Sequence, residues 1–133
     1  MVSLVLDAEA LSSVARGKAA HVQAYLVAAC DSGVDVMVPA AVLAELYRGR
    51  HQEQVIDSYL SRADRIRIVD TDRILARRIG HLAAAAGMGS EHHVAATVAA
   101  VAVTEGPSVV LTGDPDDLRR LTAQIDHVIV EAI

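Results

Sequence analysis

An α/β fold, a central parallel sheet of about five strands with helices on both faces, is what this sequence predicts. Three observations lead there. Short β-branched runs alternate with longer helical patterns, the order expected when each strand is followed by a crossover helix. The runs are four to six residues long and mostly apolar, as strands buried on both faces are. The apolar residues, 53% of the chain, are chiefly Ala, Val and Leu, with no Phe or Trp and three Tyr, which suits close helix-on-sheet packing.

Taken in order, strands are expected at VSLVL (2 to 6), DVMV (35 to 38), RIRIV (65 to 69), SVVLT (108 to 112) and HVIVEA (127 to 132). Between the first two, Ala8 to Val14 and Lys18 to Ala29 read as helices broken at Arg16-Gly17. Pro39 opens a helix over AAVLAELYRG with Gly49 as its stop, and another runs from Gln52 to Arg62. Thr71 is the expected N-cap of DRILARRIGHLAAAAG, whose Ile74, Leu75, Ile79 and Leu82 mark an apolar face and whose Gly87 is a C-terminal cap. Ser90 is expected to cap the next helix, which carries Glu91 and His92 in its first turn and closes at Gly106-Pro107.

Residues 1–133 suit one domain with one core. The apolar stretch from Val94 to Val103 falls short of the roughly 20 residues of a membrane span. The opening MVSLVLDAEAL has no basic region before its apolar residues, so the expected location is the cytoplasm, with no membrane association. Cys30, the only cysteine, can form neither an internal disulfide nor a cysteine-based zinc site and is expected to be a small buried hydrophobe.

In open parallel sheets, chemistry gathers beyond the carboxyl ends of the strands. Asp7 follows the first strand, and Asp114 follows VVLTG at the end of the fourth. Glu45 lies about two turns into the helix after the second strand, and Glu91 opens the helix that leads to the fourth, where the helix dipole favours an anion. Each acid has a plainer explanation: Asp7 and Asp114 are good helix N-caps, and Glu45 fits an exposed helix face. As a set they suggest more. At an effective dielectric of about 20, two carboxylates about 4 Å apart repel by about 4 kcal/mol, so four of them together require a cation or raised pKa values. Hard oxygen donors select Mg²⁺ or Mn²⁺, and the chemistry such a site suits is metal-assisted phosphodiester hydrolysis.

The formal charge of −5, from 17 acids and 12 bases, argues at first against a nucleic-acid substrate. Setting aside the four site acids leaves 13, nearly balanced by the bases. Arg16, Lys18, Arg48, Arg50, Arg119 and Arg120 lie in segments adjoining the proposed site and are candidates for phosphate contacts, although each also reads as an ordinary surface charge.

With LVLDAEAL around Asp7, VPAAVLAELYRG around Glu45, EHHVAATVA around Glu91 and VVLTGDPDDLRRL around Asp114, the chain resembles a PIN-domain ribonuclease, specifically a VapC-type toxin of a VapBC toxin–antitoxin pair. The resemblance covers essentially the whole chain. It implies a three-layer α/β/α fold and a Mg²⁺- or Mn²⁺-dependent endoribonuclease that is usually a homodimer and is inhibited by a small VapB-type antitoxin. Asp7, Glu45 and Asp114 fall on the family's acids. Thr112 matches the first residue of its (S/T)xD motif, with the implied role of orienting a water at the metal. Asp117 matches an acid that some members place near the metal; it also reads as an ordinary first-turn charge. The short helices over 8–29 and 39–62 carry Leu, Val and Tyr positions suited to holding an antitoxin helix.

The departure is Glu91, where the family pattern has Asp. An added methylene moves the carboxylate by about 1.5 Å, and Mg²⁺ tolerates little deviation from octahedral oxygens at about 2.0 to 2.1 Å. An inactive or weakened PIN-like domain that binds RNA or a protein without cutting is therefore the alternative. Neighbouring helical side chains diverge by about 100°, so His92 and His93 make a poor metal pair. His92 is expected at a helix-end surface and His93 at the edge of the site or on the RNA. A receiver domain or a haloacid-dehalogenase-like phosphatase would need a suitably placed lysine, and Lys18 is the only lysine; DAEAL also lacks the phosphatase's second Asp. No Gly-rich dinucleotide-binding turn is present.

Overall fold

The computed structural model describes residues 2–133. Five parallel strands form one sheet in the order β3-β2-β1-β4-β5: β1 Ser3–Leu6, β2 Val36–Pro39, β3 Ile66–Val69, β4 Ser108–Thr112 and β5 Val128–Ala132. Leu4, Val5 and Leu6 of β1 and all four residues of β2 are buried. Side chains alternate between the faces of a strand, so consecutive buried residues require cover on both. The edge strand β3 has no buried residue. The observed architecture is the three-layer α/β/α fold with the expected five strands.

The helices are α1 Ala8–Ala15, α2 Ala20–Asp31, α3 Ala40–Leu46, α4 Arg50–Arg62, α5 Arg73–Ala85, α6 His93–Thr104 and α7 Pro115–Leu121. A 3₁₀ turn, Ser90–His92, leads into α6. Helix α6 packs on β1, β2 and β4 and is flanked by α5 and α7. Every residue from Ala96 to Ala102 is buried, and the many alanines let the backbone approach its neighbours closely. Helix α1 packs on β1 and β4 and also meets α2, α3 and α4. The largest fully buried side chains, among them Leu6, Leu11, Met37, Ile56, Leu111 and Leu118, come from strands and helices of both halves. Ile56 is the one buried residue of α4, and burial of such a side chain contributes about 1.5–3 kcal/mol.

Several local expectations are corrected. Asp72, not Thr71, caps α5: its Oδ1 accepts from Leu75 N–H at 2.8 Å. Ser90 caps nothing, because the chain first makes a 3₁₀ turn and α6 starts only at His93. Gly49 does not stop α3, which ends at Leu46; with φ of 91° it instead turns the chain into α4. Ile74 is 64% exposed, and α5 buries Leu75 and Ile79. Cys30 is exposed on α2, where Val22, Leu26 and Ala29 form the buried stripe. Gly87 does terminate α5: at φ of 67° it lets Gly87 and Met88 N–H return to the carbonyls of Ala84 and Ala83, at 3.1 and 2.9 Å.

Candidate functional site

The chain leaves β1 toward β2 on one side and returns to β4 on the other, so the strand order reverses between β1 and β4. Beyond the carboxyl ends at such a switch point the loops part and leave a crevice. Here it is a cleft of about 450 Å³ floored by apolar residues of α6 and α7 (Val94, Ala95, Val98 and Leu118) and walled by Asp7, Glu9, Glu45, Glu91, Asp114 and Asp117. The structure thus brings all four sequence-derived acids, and Asp117, to one cavity. It adds Glu9 and His92 and places no Lys or Arg in the lining.

Asp7 is the most constrained of the acids. Its N–H continues the β1–β4 ladder onto Leu111 O at 3.2 Å. Its Oδ1 accepts from Ala10 N–H at 2.9 Å and so caps α1. Its Oδ2 accepts from Thr112 Oγ1 at 2.6 Å and from Gly113 N–H at 3.0 Å. The N-cap role and a role in the cleft coexist: a carboxylate has about four lone-pair directions, and three are taken here.

Thr112 is fully buried. Its hydroxyl gives its proton to Asp7 and accepts Asp114 N–H at 2.8 Å. With that proton committed to Asp7, Thr112 fastens the first acid to the loop that carries the fourth. Asp114 caps α7 with a long 3.5 Å contact to Asp117 N–H, and Pro115 occupies the helix's first turn. Glu45 reaches the cleft from an exposed position on α3.

Two glycines fit carboxylates. A Cβ at Gly113 would collide with Glu9 Oε2, and one at Gly89 would lie 2.6 Å from Glu91 Oε2. Glu9 therefore folds across the Gly113 backbone, and Glu91 folds back over Gly89 with its side chain 72% exposed. Position 9 is a first-turn acid one turn past the end of β1, the same placement that singled out Glu91, and this signal could have identified it.

The two histidines exchange their expected places. His93 is exposed and does not line the cleft. His92 is half-buried in it, with Nδ1 3.1 Å from Asp117 Oδ2 and Nε2 3.5 Å from Glu91 Oε1. Arg16, Lys18, Arg48, Arg50, Arg119 and Arg120 are all exposed outside the cleft, and none ion-pairs with a carboxylate among the described residues. Arg16 bonds Gln52 Oε1, and Arg48 Nε donates to Glu45 O at 3.1 Å.

Among the described residues, no three His, Cys, Asp or Glu side chains stand close enough to grip one ion together. The acids are spread along the walls of the cleft. In kind the donors fit a hard divalent cation: they are carboxylate oxygens, with no thiolate and one imidazole that already faces two acids.

An α/β protein with an acidic cleft at the switch point of its sheet is the class that this geometry defines. A model of the PIN domain matches residues 4–124, and the chain belongs to the PIN-domain family. Two similar solved structures are DNA-bound VapBC complexes. One is VapBC2 from Rickettsia felis on a fragment of its promoter, with 16% identity, a TM-score of 0.68, and coverage of 100% of this chain and 99% of that one. The other is VapBC from Salmonella typhimurium, with 16% identity, a TM-score of 0.64, and coverage of 99% and 98%. At that identity the likeness establishes the fold. No curated protein sequence gives a significant match.

Proposed function

We propose that this chain, as one PIN domain over residues 1–133, is a metal-dependent endoribonuclease and the VapC-type toxin of a type II toxin–antitoxin pair. The observation that carries this reading is the convergence of Asp7, Glu45, Glu91 and Asp114 on one cleft at the switch point of a PIN fold. These four, with Asp117, would hold Mg²⁺ or Mn²⁺. When bound, the cation supplies an acidified water and offsets charge on the scissile phosphate.

The chain's own residues do the rest. Three donors hold Asp7 so that one lone-pair direction remains for a ligand. Thr112 keeps Asp114 in register with it. The lining has no cation of its own and repels a phosphodiester until a cation balances it. Arg16, Lys18, Arg48, Arg50, Arg119 and Arg120 would meet RNA phosphates around the cleft. The antitoxin expected is VapB-like, in keeping with the VapBC fold neighbours, and a homodimer in the cytoplasm is the expected form. No helix among the described residues is long and apolar enough to cross a membrane.

The second reading, a weakened or inactive domain that binds RNA or a protein, is favoured by one observation: Glu91 lies over Gly89 and is largely exposed. Incubating total RNA with the purified chain and Mg²⁺ or Mn²⁺, alongside Glu91→Asp, separates the two. Metal-dependent fragments from the wild type support the nuclease; fragments from Glu91→Asp alone support the weakened domain. The toxin role requires that the product of the neighbouring gene co-purify with the chain and stop cleavage, and failure on both counts removes it.

A further inference from the structure

His92 has no part in the site as inferred from the acids, yet it sits between two of them. Its backbone precedes α6, but its side chain caps nothing, so helix initiation does not explain its position. The ring instead spans from the start of α6 to the first turn of α7: Nδ1 is 3.1 Å from Asp117 Oδ2, and Nε2 is 3.5 Å from Glu91 Oε1. Asp117 N–H in turn faces Asp114 Oδ1 at 3.5 Å, so whatever fixes Asp117 also steadies the helix that carries Asp114.

A neutral imidazole has one N–H, and a carboxylate can only accept. The proton of the 3.1 Å contact therefore sits on Nδ1, and Nε2, 3.5 Å from Glu91 Oε1, is too far for a hydrogen bond of ordinary length. Asp117 keeps its other oxygen free of His92. Carboxylates that bind metals are commonly held by such outer hydrogen bonds, and loss of the outer partner typically weakens metal binding by about 10- to 100-fold.

We propose that His92 is a positioning residue that ties Asp117 into the cation-binding group of the cleft. The proposal deepens the reading of the cleft as a divalent-cation site and rests on it.

The test is calorimetric titration of the purified chain with Mn²⁺ alone, comparing wild type, Asp7→Asn and three substitutions of His92. An Asn amide nitrogen takes the place of Nδ1 and preserves the donor to Asp117; a Gln amide nitrogen takes the place of Nε2 and faces only Glu91. His92→Ala and His92→Gln are expected to bind Mn²⁺ about 10- to 100-fold more weakly, and His92→Asn close to the wild type. In metal-free protein, imidazole ¹⁵N shifts of neutral His92 should show the proton on Nδ1. Wild-type affinity in His92→Ala, equal loss in the Asn and Gln variants, or a proton on Nε2 alone overturns the role of His92. A folded wild type that binds no Mn²⁺ overturns the cation site itself, and with it this inference. The Asn and Gln pair still decides if His92→Ala fails to fold.

Discussion

Thr112 Oγ1 donates to Asp7 Oδ2 at 2.6 Å, joining residues 105 positions apart at the ends of the two central strands β4 and β1. Because the same oxygen accepts Asp114 N–H, one hydroxyl sets the spacing between two acids of the cleft. Thr112→Val preserves the shape but leaves Asp7 short of a donor and the Asp114 N–H without its acceptor. A loss of about 1–3 kcal/mol in urea unfolding is expected, with Thr112→Ser close to the wild type. Equal stability of the Val variant and the wild type would show that the bond contributes nothing net.

Glu9 and Gly113 form a second coupled pair. Gly113 has no left-handed φ, so its backbone would accept alanine; what stands in the way is the Glu9 side chain. Gly113→Ala should therefore destabilise the wild type and cost less in a Glu9→Ala background, which removes the carboxylate but keeps the Glu9 Cβ 2.9 Å from the new methyl. A double-mutant cycle is expected to give a coupling of about 0.5–3 kcal/mol. Simple additivity would mean that Glu9 does not occupy that space.

Away from the cleft, Tyr47 at the end of α3 donates to Asp57 Oδ1 of α4 at 2.5 Å. That hydrogen bond, then burial and the charges of Asp57 and Glu53, push the Tyr47 hydroxyl up from 10.0 to about 12. With the folded value raised, the contribution is fully present below about pH 10 and is lost as pH rises toward about 12. Because the Tyr47–Asp57 hydrogen bond is exposed to solvent, the contribution is small. In an ultraviolet titration, one tyrosine should ionise near pH 12 in the wild type and disappear from the curve in Tyr47→Phe. A Tyr47→Phe difference that leaves only an ordinary ionisation near pH 10 would contradict the bond.

The strands were legible because buried parallel strands are short apolar runs bounded by turns; all five ends lie within one residue of their expected places. Asp7 and Asp114 were legible for a related reason, since strand ends at a switch point are fixed by strand order, and Glu45 and Glu91 from their places on the helices beside it. What escaped the sequence depends on contacts across the fold. Asp72 and Thr71 are both good caps by residue type, and backbone geometry decides between them. Cys30 and Ile74 are apolar or nearly so, yet lie on helix faces that no neighbour covers. His92 and His93 differ only by which way one helical step turns them, and α7 must be in place before Asp117 can meet either. The Arg and Lys residues flank the cleft in sequence without lining it.

The central claim is that the acids of this cleft, with a divalent cation, cut RNA. Its most direct measurement is the rate of total RNA cleavage in Mn²⁺ by the wild type and by Asp7→Asn, with equal folded fractions confirmed by circular dichroism. The account expects internal fragments from the wild type, none after chelation, and background cleavage from Asp7→Asn. Equal cleavage by both proteins, or none by a folded wild type in either Mn²⁺ or Mg²⁺, would contradict it.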